Sequence, residues 1–296
     1  MKLLKITTAI LSIMLVVFFV TNLPAKAAES MSVNSPDGVR IVYQVQGKGD
    51  ITLVLIHCWC CDKSFWESQV PVFAKNYQVV TLDLGGHGES GTGREEWTLE
   101  AFGEDVTTVV NKLNLGKIIL IGHSMGGPVA VQAARLLREQ VLGIVAVDTL
   151  LNVEQKVTQE QFEQFMAPMR KDFKGAVENF LRSNMFTPKS DPALVEKIVN
   201  KMASAKPEIG LGAIENMFKY NLSSAMDKIK APIRLIIADK LPCDIEAGKR
   251  HAVSFEVKVM KDVGHFLHME TPDTFNKLLA ETLKEIKKIA AKPQTF

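Results

Sequence analysis

Short apolar runs alternate with amphipathic stretches along most of the chain. The runs predict seven strands, at Val39–Val45, Ile51–His57, Gln78–Asp83, Lys117–Ile121, Val141–Asp148, Ile233–Ala238 and Phe255–Met260. Helical periodicity between them predicts helices at Thr98–Leu113, Pro128–Arg138 and Thr271–Lys288. This alternation is typical of an α/β protein with a doubly wound, mostly parallel sheet covered by helices.

The alternation stops between about Asn152 and Lys230, where no strand-like run occurs. Amphipathic charged segments such as Gln159–Met169 and Pro192–Met202 fill this stretch, so we predict a helical lid inserted at about residues 152–230. Apolar residues of the lid are candidates to line a pocket, since Met adapts to irregular ligands. The alternative is that they pack the lid onto the domain below. They are Phe162, Phe165, Met166, Met169, Phe173, Phe180, Met185, Phe186, Met217 and Phe218.

The first 27 residues have the order of a secretory signal. Lys2 and Lys5 precede an apolar run from Ala9 to Val20, and Ala25–Ala27 reads AKA, a small-x-small cleavage site. We therefore expect residues 1–27 to be a signal peptide that is removed on export to the periplasm or the medium. The apolar run is shorter than the roughly 20 residues of a spanning helix. An uncleaved N-terminal membrane anchor is the alternative.

The composition of the chain is that of an ordinary globular protein. Of its 296 residues, 47% are hydrophobic and 23% are charged, which excludes a disordered, collagenous or coiled-coil chain. Three lysines and no acid lie in the leader, so the formal charge falls from +2 to +2 − 3 = −1 in residues 28–296. A charge so close to zero argues against a nucleic-acid binder and favours a neutral small-molecule substrate.

The most specific motif is Gly122–Gly126, which reads GHSMG and fits G-x-S-x-G. It follows the strand that ends at Ile121 and precedes the helical pattern that begins at Pro128, which is the strand-turn-helix context of a nucleophile elbow. Glycine is needed at both ends because the turn is tight. The first amides of the following helix favour negative charge beside Ser124. We therefore predict that Ser124 is a nucleophile.

Several motifs in order resemble the α/β-hydrolase superfamily, from about Val33 to Lys288. His57 ends a strand where the family has His-Gly, and Asp83–Ser90 reads DLGGHGES, similar to D-x-R-G-H-G-x-S. The elbow follows, and then Gly264–Phe266, which resembles the catalytic-histidine loop. The resemblance implies a Ser-His-Asp triad that needs no metal or organic cofactor. Dehalogenases and epoxide hydrolases carry a carboxylate where this chain has serine, so both activities are disfavoured.

A histidine must act as the base, because serine is a poor nucleophile until a group with a near-neutral pKa takes its proton. The candidates are His57, His87, His123, His251, His265 and His268. In this fold the order is nucleophile, acid, base, so the base should follow the last strand. His265 satisfies this and lies beside a glycine. His268 is the fallback, and His57, His87 and His123 are interpreted as structural.

The acid departs from the commoner family pattern. Members usually carry it after the penultimate strand, as in G-x-x-D, but here Ala238–Leu241 reads ADKL and ends in leucine. Asp148 ends the strand before the lid, at a spacing similar to that of haloalkane dehalogenases with their acid there. We therefore predict Asp148, with Asp239 and Asp244 as alternatives. The acid would fix the imidazole tautomer and stabilise the imidazolium.

The oxyanion hole should combine the amide of Met125 with a second donor, which by resemblance is Trp59. The family glycine before this donor is replaced, since residues 57–61 read HCWCC. A disulfide in the loop would fix the donor, with the distant Cys243 as a plausible partner. The alternative is that the four cysteines, Cys58, Cys60, Cys61 and Cys243, are small buried apolar residues.

These residues predict acyl transfer to water, with esters of small to medium acyl groups as the first substrate class. A lactonase of the acyl-homoserine lactone type is the second hypothesis, because the same triad opens a cyclic ester. A hydrolase of ketone C–C bonds is a third. A ligand-binding or signalling protein that turns over slowly is the alternative from a different class.

Overall fold

The computed structural model of the protein describes residues 29–291. The predicted leader at residues 1–27 lies outside this range. Eight strands form one sheet in the order β1-β2-β4-β3-β5-β6-β7-β8. They are β1 Met31–Asn34, β2 Arg40–Gln46, β3 Thr52–Ile56, β4 Gln78–Asp83, β5 Ile118–His123, β6 Val141–Val147, β7 Ile233–Ala238 and β8 Phe255–Met260.

All pairs from β4 through β8 are parallel, and the β1–β2 and β2–β4 pairs are antiparallel. The predicted mostly parallel α/β sheet is therefore confirmed. Strand β1 is an addition that the sequence pattern did not indicate. Its four residues, MSVN, are mostly exposed at the sheet edge, so they lack the apolar run by which the other strands were recognised.

The sheet separates two apolar layers, and alternate residues of a strand enter opposite layers. In β5, Ile118 and Leu120 join one layer, while Ile119 and Ile121 join the other. Helices α1 Val70–Phe73 and α11 Pro272–Ala290 cover the second layer, and α2 Leu99–Lys112 and α3 Gly126–Leu137 cover the first. Burial on both faces explains why the central strands read as continuous apolar runs.

The predicted insertion consists of five helices between β6 and β7. They are α4 Gln159–Lys171, α5 Phe173–Asn184, α6 Pro192–Ala203, α7 Pro207–Lys219 and α8 Leu222–Met226. Polar residues begin several of them: the Thr158 hydroxyl accepts from the N–H of Gln161, and Asp172 caps α5 in the same way. Within the described chain, residues 148–232 contain no strand.

The remaining helices, α9 Ile245–Arg250 and α10 Leu267–Glu270, flank β8. Short 3-10 helices occupy Lys63–Trp66 and Arg138–Gln140. Among residues 29–291, no helix combines the length and the apolar composition needed to cross a membrane.

Candidate active site

Ser124 lies on the two-residue turn between β5 and α3. Its φ angle is +51°, a left-handed conformation that is uncommon for a residue with a side chain. The Ser124 N–H donates to the carbonyl oxygen of Val147 at 3.0 Å, which ties the turn to the end of β6. The backbone strain and this tie together hold the serine hydroxyl at the carboxyl edge of the sheet.

The two glycines of the motif allow the turn to be tight. A Cβ on Gly122 would lie 2.0 Å from the carbonyl oxygen of Gly126, and a Cβ on Gly126 would lie 2.4 Å from the carbonyl oxygen of Ile56. The second contact shows that the elbow packs directly against the end of β3. The loop after β3 therefore begins beside the first amides of α3.

The imidazole of His265 is hydrogen bonded to a carboxylate. His265 Nδ1 lies 2.6 Å from Asp148 Oδ2, and the other oxygen, Oδ1, accepts from the N–H of Ala238 at 2.8 Å. The Asp148 side chain is 9% exposed and that of His265 is 17% exposed. With Nδ1–H donating to Asp148, a neutral His265 keeps Nε2 unprotonated, so Nε2 can accept a proton.

The alternative acids lie away from this imidazole. Asp239 is exposed, and its carboxylate accepts from the N–H of Asp262 at 3.2 Å. Asp244 is also exposed and caps α9 by accepting from the N–H of Ala247 at 2.9 Å. Of the three carboxylates considered, only Asp148 contacts His265 among the described residues.

The backbone of His265 is held from both sides, by His123, which the sequence indicated as structural, and by a group that the sequence did not reveal. Its N–H donates to the carbonyl oxygen of Met185 at 2.7 Å, and its own carbonyl oxygen accepts from His123 Nε2 at 2.9 Å. Met185 follows α5, so the lid holds the histidine loop directly. No sequence signal marks Met185 for this, because the contact uses only its carbonyl group.

Four other histidines occupy other environments. Burial is the largest cause that lowers the pKa of His123 well below its usual value and the pKa of His268 and of His87 to about 3 each. His268 packs between the rings of Trp66 and His123, at 4.6 and 4.5 Å. The half-buried His251 instead lies between Asp227 and Glu154, and its hydrogen bond to Asp227 raises its pKa. His268, the fallback base, is thus sealed in the core.

His57 orders the loop after β3. It accepts from the N–H of Leu84 at Nε2, so its proton lies on Nδ1, 2.7 Å from the carbonyl oxygen of Cys58. Burial lowers the pKa of His57, which favours this neutral form. Within residues 29–291, no hydrogen bond occupies the backbone N–H of Trp59 or of Met125. Both amides are therefore free to donate.

The loop contains a disulfide between Cys58 and Cys61, with Cα atoms 5.2 Å apart. Cys60 and Cys243 are free thiols. The bond therefore lies within one loop, and the pairing with Cys243 that the sequence suggests is wrong. Four residues suffice to close this bond because the chain turns at Cys60, where φ is +56°.

An apolar cavity of about 210 Å³ brings these parts together. Lid and loop residues line it: Cys58, Trp59, Ser124, Phe165, Phe180, Leu181, Met185, Met202, Ile214, Met217, Phe218 and His265. Half of the ten lid residues considered as pocket candidates are in this set. Three of the remaining candidates, Met166, Met169 and Phe173, are buried in the core and do not line the cavity.

Across the part of the chain that the structure describes, no three His, Cys, Asp or Glu side chains are grouped to hold a metal ion. The chemistry that the arrangement allows is proton transfer at His265, which lines the same cavity as Ser124, with two free amides and the α3 N-terminus at the same end of the sheet.

Comparison with known proteins agrees with this architecture. The sequence profile of the alpha/beta hydrolase fold matches residues 51–272, which is most of the chain. The protein therefore belongs to the alpha/beta hydrolase fold family, and the resemblance stated from its motifs is confirmed. The solved structure of a thermophilic esterase from Thermogutta terrifontis, with malate bound, has a TM-score of 0.76 at 24% identity. That match covers 88% of this chain and 99% of the esterase.

Two curated relatives extend the comparison. The chain is 25% identical over 267 residues to 3-oxoadipate enol-lactonase 1 of Acinetobacter baylyi, a match that covers 87% of this chain and 98% of the lactonase. It is also 25% identical over 266 residues to the dihydrolipoyllysine-residue acetyltransferase component of an acetoin cleaving system in Pseudomonas putida. That match covers 82% of this chain but 66% of the relative, so the chain spans about two thirds of that protein.

Proposed function

We propose that the protein hydrolyses carboxylic esters with neutral, apolar acyl groups through an acyl-enzyme on Ser124. The observation that carries the proposal is the 2.6 Å hydrogen bond between His265 and Asp148, on a histidine that shares an apolar cavity with Ser124. A carboxylate-held histidine beside an elbow serine is the arrangement that activates a hydroxyl for attack.

In the acylation step, Ser124 Oγ attacks the ester carbonyl carbon and its proton passes to His265 Nε2. Asp148 holds the ring through Nδ1 and stabilises the imidazolium without taking the proton. The charge that develops on the carbonyl oxygen is stabilised by the amides of Trp59 and Met125. His265 then protonates the departing alkoxide, which leaves as an alcohol.

Deacylation reverses the roles on a water molecule. His265 takes a proton from water as the oxygen attacks the acyl carbon, and the proton then returns to Ser124 Oγ as the acid product leaves. Every transferred proton passes through His265, so the mechanism needs no metal or organic cofactor.

The walls of the cavity support a small to medium, neutral acyl group. An apolar cavity of roughly 150 Å³ holds a molecule of benzene, so the cavity here, at about 210 Å³, has room for a short chain or a ring. In the described part of the chain, its lining includes no lysine or arginine that could pair with a carboxylate. A substrate with a charged acyl group would lose its hydration without a partner.

Hydrolysis of a lactone is the second candidate, and the similarity to the Acinetobacter baylyi enol-lactonase favours it. The same steps open a cyclic ester, with the leaving alcohol staying attached to the acyl group. An acyl-homoserine lactone would place its chain against the same apolar wall.

A substrate panel tests the proposal. We expect the purified protein to hydrolyse p-nitrophenyl butyrate, and we expect Ser124→Ala to lower kcat by roughly 10⁶-fold. Ser224→Ala, at an exposed lid position, is the matched control and should keep wild-type turnover. Parallel rates on an acyl-homoserine lactone rank the two substrate classes.

Two results would overturn the proposal. Ester turnover that persists in Ser124→Ala would show that this serine is not the nucleophile. Tight binding of the esters and lactones without turnover would instead indicate the ligand-binding or signalling alternative.

Export of the protein completes the proposal, on the strength of the basic and apolar order of residues 1–27. The test is N-terminal sequencing of the protein recovered from the periplasm or the medium of its host. A start near Ala28 supports cleavage, whereas an intact leader in the membrane fraction supports the anchor.

A further inference from the structure

We propose that the Cys58–Cys61 disulfide positions the Trp59 amide for the oxyanion, so that turnover depends on the oxidation state of this loop. This inference rests on the proposed function, because Trp59 is a donor only if an oxyanion forms. The disulfide encloses the donor in sequence, with Trp59 and Cys60 between the two bonded cysteines.

The disulfide is close to the proposed reaction site in space, as well as close to Trp59 in sequence. Cys58 and Trp59 line the same cavity as Ser124. Cys58 and Cys61 are 1% and 2% exposed, so the bond forms part of the packed wall. A shift of this wall would move the Trp59 amide relative to Ser124.

The peptide group between Cys58 and Trp59 already has one fixed end. His57 Nδ1–H donates to the Cys58 carbonyl at 2.7 Å, and in a planar trans peptide the Trp59 N–H points the opposite way. The Trp59 ring is fixed separately, because its Nε1–H donates to the carbonyl oxygen of Gly210 in the lid at 2.8 Å. The disulfide adds a covalent restraint on the segment from Cys58 to Cys61, which carries both anchored groups.

The backbone of the loop needs such a restraint. Cys60 adopts a φ of +56° while its side chain is buried, and a non-glycine residue in this left-handed region is strained. Strain of this kind persists only where the surroundings enforce it. Closing the loop from Cys58 to Cys61 enforces the turn at Cys60, and with it the direction of the neighbouring amides.

Global stability offers a weaker explanation of the bond. A disulfide restrains the unfolded chain more as the closed loop lengthens, and this loop spans a sequence separation of only three. The bond therefore removes little unfolded-state entropy. Its main effect is local, at the loop that carries the donor.

The redox step is a two-electron exchange with a dithiol. The dithiol gives two electrons and two protons to the Cys58–Cys61 bond, which yields two cysteine thiols and a cyclic disulfide of the reductant. With the bond broken, Cys60 can leave its strained conformation and the Trp59 amide loses its fixed direction. Loss of a whole oxyanion donor costs roughly 10²–10³-fold in kcat.

The experiment compares ester turnover by the full protein before and after reduction with dithiothreitol, with free thiols counted by mass spectrometry after alkylation. We expect two free thiols before reduction, from Cys60 and Cys243, and four after it. We expect kcat on p-nitrophenyl butyrate to fall by at least about 10-fold and by no more than the roughly 10²–10³-fold of a fully lost donor, while KM stays close to its original value. Reoxidation should restore kcat, a recovery that damage to the fold would not give.

The double variant Cys58→Ala/Cys61→Ala decides the question if the buried bond resists the reductant. It should show the low kcat without any reductant and should not respond to dithiothreitol. The matched control is Cys243→Ala, which removes a thiol outside the loop and should respond to reduction like the wild type.

Two results overturn the inference. The first is four free thiols in the unreduced protein. The second is wild-type kcat in the reduced protein or in the folded double variant. Failure of the proposed function has a different signature, since the oxidised protein would then show no Ser124-dependent turnover, and both proposals would fall.

Discussion

Two regions meet at the cavity, and they are held in place by different forces. The loops at the carboxyl edge of the sheet are fixed by main-chain contacts, such as the Ser124 N–H on the Val147 carbonyl and the Asp148 N–H on the Ile236 carbonyl. The lid presents half-buried aromatic side chains, and Phe218 stacks edge-on against Phe162 and Phe165 at 5.6 and 5.4 Å.

This difference suggests that the sheet edge provides the reacting groups and that the lid determines which acyl group is preferred. Main-chain hydrogen bonds of a parallel sheet allow little adjustment, so the polar groups keep their geometry whatever the substrate. Apolar contacts are non-directional, so the lid can change its side chains and still close the cavity. Substitutions on the sheet side should therefore abolish turnover or prevent folding. Substitutions on the lid side should instead change which acyl group the enzyme prefers.

After the loss of Ser124 itself, the largest effect expected on the sheet side is loss of the carboxylate that holds His265. Asp148→Asn should lower kcat by about 10⁴-fold, because an amide can hold the imidazole in the wrong tautomer. Asp239→Asn and Asp244→Asn are the matched controls and should keep near wild-type kcat, since neither carboxylate contacts His265. The measurement is kcat on p-nitrophenyl butyrate, and a fully active Asp148→Asn enzyme would refute the assignment of the acid.

The next effect concerns the fold of the elbow. Gly122→Ala places a Cβ 2.0 Å from the backbone oxygen of Gly126, so we expect a loss of about 3 kcal/mol or more in the free energy of unfolding. Gly116→Ala is the control, because a Cβ there has no neighbour within 4 Å. Urea unfolding of both variants measures the difference. Equal stability would show that the turn has more room than its backbone geometry indicates.

A third effect comes from the sealed histidine behind the elbow. The pKa of His268 is about 3 in the folded protein against an ordinary 6.5, so the unfolded chain binds more protons between these values. The contribution of His268 to the free energy of unfolding is fully present above pH 6.5 and is lost as the pH falls toward 3. At pH 5 this loss is about 2 kcal/mol.

His268→Phe should remove the fall in unfolding free energy that His268 causes between pH 7 and pH 5. Urea unfolding at these two pH values measures it. The half-buried His251 is the control, because its raised pKa gives the opposite sign: it stabilises the fold at low pH and loses this effect as the pH rises. The His251→Gln variant should therefore still lose stability at acidic pH through His268. An unchanged pH dependence in His268→Phe would contradict the pKa of this group.

The smallest effect belongs to the lid. Phe218→Leu should enlarge the cavity and raise the ratio of kcat/KM for octanoate over butyrate esters by about 10-fold, the size of effect that small changes in an apolar pocket produce. Phe162→Leu is the control, since Phe162 touches Phe218 without lining the cavity. If Phe218→Leu lost activity on every ester, the division between sheet chemistry and lid selectivity would be wrong.

The sequence predicted the sheet and its elbow more completely than it predicted the lid. Apolar runs predicted every strand except β1, and the spacing GHSMG predicted the turn that carries Ser124. Five of the ten lid residues proposed for the pocket line it, because amphipathic periodicity marks an apolar face without saying what that face covers. The tie between Met185 and His265 left no trace in the sequence, because it joins main-chain atoms.

The sequence by itself determined the order of strands and helices, the elbow and the histidine loop, because each is encoded by neighbouring residues. Only the tertiary structure decided which carboxylate meets His265, since Asp148 is 117 positions away in the chain. It also decided that Cys58 pairs within its own loop and leaves Cys243 free. Such pairings depend on how the sheet brings distant strand ends together, and local residue patterns carry no information about that distance.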